Sequence, residues 1–244
     1  MPTGELRSSV RTDVVWAAVQ QRLERPGAYS GQRARIVDIG GGTGGFAVRL
    51  ASLGHVVTVV DPSPDALAAL DRRAAESDLS DLVTGVQGDL ADLAEHVGDE
   101  VVDVVLCHGV LEVAPDPDAA LRAIAEVLHP GGLVSLLAAQ RHAAVVARAM
   151  AGHFHQALDL LDQRGPLGRS GRRFTADELT GLVVGAGFGV DEVQAIRVFT
   201  DLVPGSLLDL EPGASTALVE LEQAVASRPE YLPLATQVHL LAHR

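Results

Sequence analysis

The stretch V-D-I-G-G-G-T-G-G, residues 37–45, places a glycine-rich turn between a short β-branched run and a helical pattern. The run R-I-V-D-I (35–39) leads into the turn, and Phe46, Val48, Leu50 and Ala51 follow it at helical spacing. Glycine lets a backbone approach a ligand closely, and a helix behind such a turn presents unpaired N–H groups. The stretch therefore predicts a strand, a ligand-binding turn and a helix in succession.

The glycines of this turn satisfy two ligand-binding patterns. Gly40, Gly42 and Gly45 have the G-x-G-x-x-G spacing of dinucleotide-binding turns. Gly40, Gly42 and Gly44, with Asp38 two residues ahead of the first, have the G-x-G-x-G spacing of enzymes that use S-adenosylmethionine (SAM). The turn by itself leaves both NAD and SAM open as cofactors.

Strand and helix patterns alternate outward from this turn as far as residue 140, which is typical of βαβ units in a parallel sheet. Ser63 with Pro64 predicts the start of a helix that runs to about Glu76. A second helix is predicted over residues 119–128. The predicted strands of this part are 35–39, 55–61, 82–87, 101–107 and 133–139.

The pattern changes beyond residue 140. An alanine-rich helical stretch over about 142–162 precedes a Gly/Arg loop at 163–173, and Thr175 with Glu178 forms a capping box for a helix to about Val184. Strands are predicted at 190–199 and 237–243, with one helix at about 213–228 between them. We find no repeat or strong linker, so we expect a single domain over residues 1–244.

Polar residues end the second, third and fourth strands, at the edge where open α/β sheets bind ligands. Asp61, followed by Pro62, can accept hydrogen bonds from both ribose hydroxyls of NAD or of SAM. The third strand ends in Gln87, Gly88 and Asp89, and an amide or acid at this place suits the exocyclic amine of an adenine. His108 follows the fourth strand. A nicotinamide enzyme would normally need a further substrate domain with an acid/base pair, and no such region stands out.

The chain resembles the class I SAM-dependent methyltransferases through VDIGGGTGG, VVDPS (59–63), GVQGD (85–89), VLCHGVLE (105–112) and LHPGG (128–132). This resemblance implies SAM as cofactor and a Rossmann-like α/β fold. That fold has a seven-stranded, mostly parallel sheet with helices on both faces and an antiparallel last strand. It also divides the chain into an N-terminal helical segment (1–34), a SAM-binding core (35–140) and substrate-side helices, loop and final strands (141–244).

Further stretches resemble the tRNA 5-carboxymethoxyuridine methyltransferase family, which esterifies the carboxylate of a modified wobble uridine. They are GELR (4–7), AGHFHQAL (151–158), IRVFTDLVPG (196–205) and residues 218–243. By position, the resemblance places cofactor contacts on Arg7, Gly40, Gly41, Asp61, Gln87, Gly88 and His108. The acceptor it implies is a carboxylate, which is already ionised at neutral pH, so no catalytic triad is expected.

The net charge of the chain and the positions of its arginines indicate which kinds of acceptor it can bind. The chain has a net charge of −13 and no lysine, which excludes Schiff-base chemistry and P-loop NTPases and argues against indiscriminate nucleic-acid binding. Residues 141–173 nevertheless hold six arginines and two acids, and four of the arginines lie in the 163–173 loop. Arg141, Arg148 and Arg197 are candidates for orienting a substrate carboxylate or phosphate.

Three functions remain open from the sequence. The first is methylation of a tRNA wobble uridine, the second is methylation of a small-molecule acid or other metabolite, and the third is a NAD oxidoreductase or a non-catalytic SAM-binding protein. The lone Cys107 excludes an internal disulfide, and we expect no metal site. The absence of a long apolar run or a signal-peptide pattern predicts a cytoplasmic protein with no membrane partner.

Overall fold

The computed structural model describes residues 3–25, 27, 29, 32–98, 101–161, 171–208 and 212–244, with side chains from residue 12 onward. Seven strands are present in these ranges. They are β1 (Arg35–Ile39), β2 (Val56–Asp61), β3 (Val83–Gln87), β4 (Val102–His108), β5 (Leu128–Ala139), β6 (Gly189–Ile196) and β7 (Gln237–His243).

Helices connect most of these strands. They are α1 (Thr3–Leu23), α2 (Gly45–Ser52), α3 (Pro64–Glu76), α4 (Leu93–Val97), α5 (Pro117–Val127), α6 (Arg141–Met150), α7 (Phe154–Leu161), α8 (Ala176–Gly185), α9 (Gly205–Leu208) and α10 (Ala214–Ala226). The predicted start signals are confirmed: the Ser63 hydroxyl accepts a hydrogen bond from the Ala66 N–H (3.3 Å), and Thr175 and Glu178 form a capping box.

The seven strands form one sheet in the order β3-β2-β1-β4-β5-β7-β6. The first five strands pair in parallel, whereas β7 lies between β5 and β6 and runs antiparallel to both. This arrangement confirms the predicted class I methyltransferase fold with its antiparallel last strand. The carboxyl ends of β1, β2, β3, β4 and β5 consequently meet at one edge.

Helices cover both faces of the sheet because its central strands are apolar on both sides. On one face, α1, α2 and α3 pack against alternate strand residues that include Ile36, Val104 and Leu106. On the other face, α4, α5 and α8 pack against Val105, Cys107 and their neighbours. The period of two in β4 thus divides the interior into two cores.

Two predicted segments differ from the structure. The predicted helix 142–162 is instead two helices, α6 and α7, because the chain turns at Gly152, whose φ of +76° suits glycine and interrupts the helix. The HPGG segment, predicted as a turn, lies within β5, where its pairing with β4 shifts register between Val102 and Val104. None of the helices in the described ranges is long and apolar enough to cross a bilayer.

Candidate functional site

The sheet brings the predicted cofactor residues of β1 to β4 to a single edge. The glycine turn follows β1, the strand at the centre of this part of the sheet. Asp61 pairs in register with Gln87 at the ends of β2 and β3, and His108 pairs with Leu137 of β5 on the other side. The strand order explains this convergence, because β1 is flanked by β2 and β4. The side chain of Arg7 lies outside the described part of the structure.

The glycine turn has the backbone that only glycine adopts readily. Gly40, Gly42 and Gly44 have φ values of +67°, +57° and +77°. A Cβ at Gly40 would lie 2.4 Å from Cγ2 of Val110, and one at Gly44 would lie 2.1 Å from Cδ1 of Leu70. A Cβ at Gly42 would meet nothing closer than Asp61 Oδ2 at 3.9 Å. The first and third glycines are therefore required by packing as well as by backbone conformation, and the middle one leaves open space.

Asp61 links the glycine turn to the turn after β2. Its Oδ2 accepts a hydrogen bond from the Gly42 N–H (2.9 Å), and its Oδ1 accepts one from the Ser63 N–H (2.9 Å). These two bonds fix the orientation of a carboxylate at the end of β2. Each oxygen keeps a further lone pair, so the same carboxylate can accept from two vicinal hydroxyls of a ribose.

Asp38 supports the turn from below. Its side chain is buried, and a Cβ added at Gly41 would lie 2.5 Å from its Oδ2. Burial, and secondarily the negative charge of Asp61, raise the pKa of Asp38 to about 7. The Asp38 carboxyl is therefore partly protonated near neutral pH.

The turn after β3 is also tightly built. A Cβ at Gly88 would lie 1.9 Å from Nε2 of His96, a buried nitrogen without a hydrogen-bond partner. Gln87 donates from Nε2 to the Pro62 carbonyl at 3.4 Å, and Asp89 accepts from the Ala91 N–H at 2.7 Å. A cavity of about 500 Å³ opens beside this turn, with lining residues that include Asp89, Leu90, Ala91, Val110, Val113 and Ala114. Its mainly apolar walls suit a flat purine ring with one polar edge.

His108 begins a hydrogen-bonded chain that crosses the sheet. Ser135 Oγ lies 2.8 Å from His108 Nε2 and 2.8 Å from His239 Nε2, and His239 Nδ1 lies 3.0 Å from Gln194 Oε1. Gln194 donates from Nε2 to Glu192, so its Oε1 faces His239 as an acceptor. Nδ1 of His239 is then the donor, Nε2 accepts from Ser135, and the Ser135 oxygen accepts from Nε2–H of His108.

His239 is neutral within this chain of hydrogen bonds. Burial, and secondarily the charge of a protonated His108, lower the pKa of His239 well below its ordinary value. This chain of hydrogen bonds was not predicted from the sequence, because the four residues that form it lie on four different strands. Their strand positions were predicted, but the register that aligns them is set by tertiary pairing.

The candidate substrate-orienting arginines have different surroundings. Arg141 forms an ion pair with Glu178 (2.6 Å), and Arg197 forms one with Asp201 through Nε (2.9 Å) and Nη2. Arg148 has no acidic partner among the described residues and lines a cavity of about 560 Å³. Arg173, a residue of the predicted 163–173 loop, lines the same cavity, whereas residues 162–170 with Arg164 and Arg169 lie outside the described ranges.

The site fits the cofactor that the motifs predict. A positive-φ turn, a doubly anchored carboxylate at the end of β2 and an apolar cleft after β3 match the backbone approach, the ribose and the adenine that an adenosyl compound requires. Among the residues that the structure describes, no group of three or more His, Cys, Asp or Glu side chains is arranged to hold a metal ion.

Comparison with known proteins finds a methyltransferase domain and similar methyltransferases. A family model described as a methyltransferase domain matches residues 37–136. The chain is 26% identical over 247 residues to the tRNA 5-carboxymethoxyuridine methyltransferase of Escherichia coli (strain K12), which covers 99% of this chain and 90% of that protein. It is 36% identical over 140 residues to the ubiquinone biosynthesis O-methyltransferase of Xanthomonas axonopodis pv. citri (strain 306), covering 55% of this chain and 52% of that protein.

A solved structure shows the same fold. The SAM-dependent methyltransferase from Mesorhizobium loti has a TM-score of 0.60 to this chain at 19% identity, covering 95% of this chain and 98% of that one. The methyltransferase domain, the fold and the cofactor edge agree with one another. Residues 37–136 match a methyltransferase domain within a class I methyltransferase fold, and the protein is a SAM-dependent methyltransferase with S-adenosylmethionine as its cofactor.

Proposed function

We propose that this enzyme O-methylates the carboxylate of a 5-carboxymethoxyuridine-type wobble nucleotide in tRNA. The observation that carries the proposal is the extent of the match to the E. coli tRNA methyltransferase, which runs over 99% of this chain. That alignment includes the substrate-side half, residues 141–244. The match to the ubiquinone O-methyltransferase covers 55% of the chain, so it supports the shared chemistry more than a shared acceptor.

The residues at the site suit an acceptor that is already ionised. Bound SAM supplies an electrophilic methyl group on a positively charged sulfur. A carboxylate needs no proton removed before it attacks, so the protein has to bind, align and exclude water. Alignment of this kind accounts for roughly 7–11 kcal/mol of barrier lowering in well-oriented systems. Asp61 and the glycine turn bind the cofactor, and the arginine-lined cavity beside β5 orients the acceptor.

Charge distribution is compatible with tRNA as the carrier of that carboxylate. The chain is acidic overall, but residues 141–173 carry six arginines and two acids. Phosphate contacts dominate nucleic-acid affinity and weaken steeply as salt rises. We therefore expect this segment to supply the phosphate contacts, and we expect methylation of tRNA to fall as salt is increased.

A small-molecule acid is the second candidate acceptor. The 560 Å³ cavity is large enough for a whole metabolite, and the relatives that match over about half of the chain include ubiquinone biosynthesis enzymes. Methylation of such a molecule would be nearly independent of salt, because it involves few phosphate contacts.

The experiment is to incubate the protein with radiolabelled SAM and, separately, with total tRNA and with a pool of small metabolites. We expect label in tRNA that carries 5-carboxymethoxyuridine, no label in tRNA that lacks it, and loss of labelling as salt rises. The control is Gly40→Leu, whose side chain collides with Val110 and should abolish cofactor binding. Label confined to metabolites would reject tRNA as the acceptor.

A further inference from the structure

The larger of the two cavities described above lies next to the cofactor edge, on the side away from β2. Ala139 and Gln140 at the end of β5 form its floor, two residues beyond Leu137, which pairs with His108. The small side chains of α6 leave the space open. The uncharged residues of α6, α7 and β7 that line it are Ala143, Ala144, Ala147, Leu160 and Gln237.

This cavity has an excess of positive charge. Arg148, Arg173 and Arg197 line it, against one acid, Asp201. Asp201 is already engaged by Arg197 and by the Thr236 hydroxyl (2.8 Å). Neither Arg148 nor Arg173 has a carboxylate within salt-bridge distance in the described part of the chain. Two guanidinium groups that form no ion pair with the described residues therefore line the cavity.

The two unbalanced arginines act on each other. Burial, and secondarily the positive charge of Arg148, lower the pKa of Arg173, and the negative charge of Glu112 offsets part of this effect. Like charges held together in a half-buried site are unfavourable unless an anion lies between them. A carboxylate bound there would relieve the repulsion and form charge-assisted hydrogen bonds with both arginines.

The backbone holds Arg173 at the cavity. The Arg172 N–H donates to the Glu112 carbonyl (2.7 Å), and the Phe174 N–H donates to the Ala139 carbonyl (2.9 Å). Gly171 has a φ of +68°, and a Cβ there would lie 2.4 Å from the same Glu112 carbonyl oxygen. The backbone of residues 171–174 is thus fixed between the end of β5 and Glu112, which holds the half-buried Arg173 at the cavity.

An unused polar atom adds a second requirement to the ligand. Gln237 lines the cavity, and its Oε1 is buried and has no hydrogen-bond partner in the described part of the chain. The other cavity amide, Gln140, is occupied, since its Oε1 caps α6 and its Nε2 donates to the Leu232 carbonyl (2.8 Å). A buried acceptor without a donor is unfavourable, so a ligand with an N–H group beside its anion would satisfy both features.

We infer that this cavity is the acceptor-binding site, in which Arg148 and Arg173 hold the carboxylate of a ring-borne carboxymethoxy group and Gln237 accepts a ring N–H. The inference rests on the proposed function and deepens it, because it assigns the specificity for a charged acceptor to two residues. Arg148 was already a candidate from the sequence, whereas Arg173 and Gln237 were not.

The test uses the full chain saturated with S-adenosylhomocysteine and two small probes. Phenoxyacetate carries the ring-O-CH₂-carboxylate group, and phenoxyethanol is its neutral counterpart. We expect phenoxyacetate to bind the wild type at least tenfold more tightly than phenoxyethanol. Arg148→Gln and Arg173→Gln should each weaken phenoxyacetate by tenfold or more and leave phenoxyethanol unchanged. Ligand-observed NMR titration measures both affinities.

Matched variants separate charge at this site from charge in general. Arg122→Gln removes the same charge from an exposed position on α5 outside the cavity, and it should bind phenoxyacetate as the wild type does. Arg173→Lys keeps the charge but loses the planar fork, so it should bind with intermediate affinity. Affinity for S-adenosylhomocysteine, measured by calorimetry, checks that each variant is folded.

The inference is overturned if folded Arg148→Gln and Arg173→Gln bind phenoxyacetate as tightly as the wild type, or if the wild type does not prefer it to phenoxyethanol. The outcome for tRNA is separate. Arginine-dependent phenoxyacetate binding without methyl transfer to tRNA would support this site and reject the proposed function. Transfer to tRNA with an unchanged KM in both variants would support the proposed function and reject this site.

Discussion

The hydroxyl of Ser135 lies 2.8 Å from Nε2 of His239, a histidine with no exposed surface at the centre of β7. The same hydroxyl lies 2.8 Å from Nε2 of His108 at the cofactor edge. This chain of hydrogen bonds joins the predicted cofactor site to the interior of the sheet. The buried Ser135 hydroxyl and the buried His239 ring hold the His108 ring in one orientation.

The neutral state of His239 predicts a loss of stability in acid. Its pKa in the folded protein lies well below that of the unfolded chain, about 6.5, so the unfolded state binds more protons below pH 6.5. We expect His239→Gln to remove this dependence. Between pH 7.5 and 5.5 the wild type should lose about 1.4 kcal/mol more of its unfolding free energy than the variant, as measured by urea titration. Equal losses in the two proteins would contradict a neutral, buried His239.

Asp38 predicts a pH dependence of the opposite sign. Its pKa is raised to about 7 in the folded protein, so between about pH 4 and 7 the folded state binds more protons than the unfolded state. This group therefore lowers stability as pH rises through that window. Asp38→Asn cannot ionise and should gain unfolding free energy relative to the wild type from pH 5 to pH 8. Asp71→Asn, at an exposed position on α3, is the control and should run parallel to the wild type.

Substitution of Gly42, the middle glycine of the turn, can separate the cost of backbone strain from an effect on cofactor binding. Gly42 and Gly54 both have positive φ, and a Cβ at either meets no atom closer than 3.9 Å. Alanine at each position should cost roughly 1–2 kcal/mol of unfolding free energy from strain. Only Gly42→Ala should weaken SAM binding, by tenfold or more, because its methyl group projects from the cofactor turn. Calorimetry with SAM and urea unfolding test both variants, and an equal loss of SAM affinity in Gly54→Ala would refute this role.

Glu222 of α10 predicts a large structural effect far from the cofactor. Its buried carboxylate accepts hydrogen bonds from the N–H groups of Val198, Phe199 and Thr200, at 2.7–2.9 Å, and from the Thr200 hydroxyl. In Glu222→Gln the amide oxygen can replace only one of the two carboxylate oxygens, so the NH₂ group would face at least the Val198 N–H donor. We expect a loss of about 2–4 kcal/mol in unfolding free energy. The control Glu220→Gln, on the exposed side of the same helix, should change stability by less than about 0.5 kcal/mol. A similar, small effect of both substitutions would contradict the role of the carboxylate.

The sequence by itself determined the architecture and predicted the edge of the sheet at which the cofactor binds. Alternating strand and helix patterns specify a parallel sheet, and in such a sheet the turns after successive strands must meet at one edge. The glycine turn, Asp61, Gln87 and His108 could therefore be assigned to one site from their positions after predicted strands. Local chemistry also sufficed for the helix starts at Ser63 and Thr175, because capping involves residues only three apart.

The tertiary structure decided which charges are balanced and which are not. Arg141 and Arg148 look alike in the sequence, but only the fold places Glu178 beside the first. Arg173, its neighbour Glu112 and the chain from His108 to Gln194 depend on contacts between residues 27 to 104 positions apart. Sequence patterns report the period and the ends of an element, whereas ion pairing and burial are set by the strand order and register that bring distant segments together.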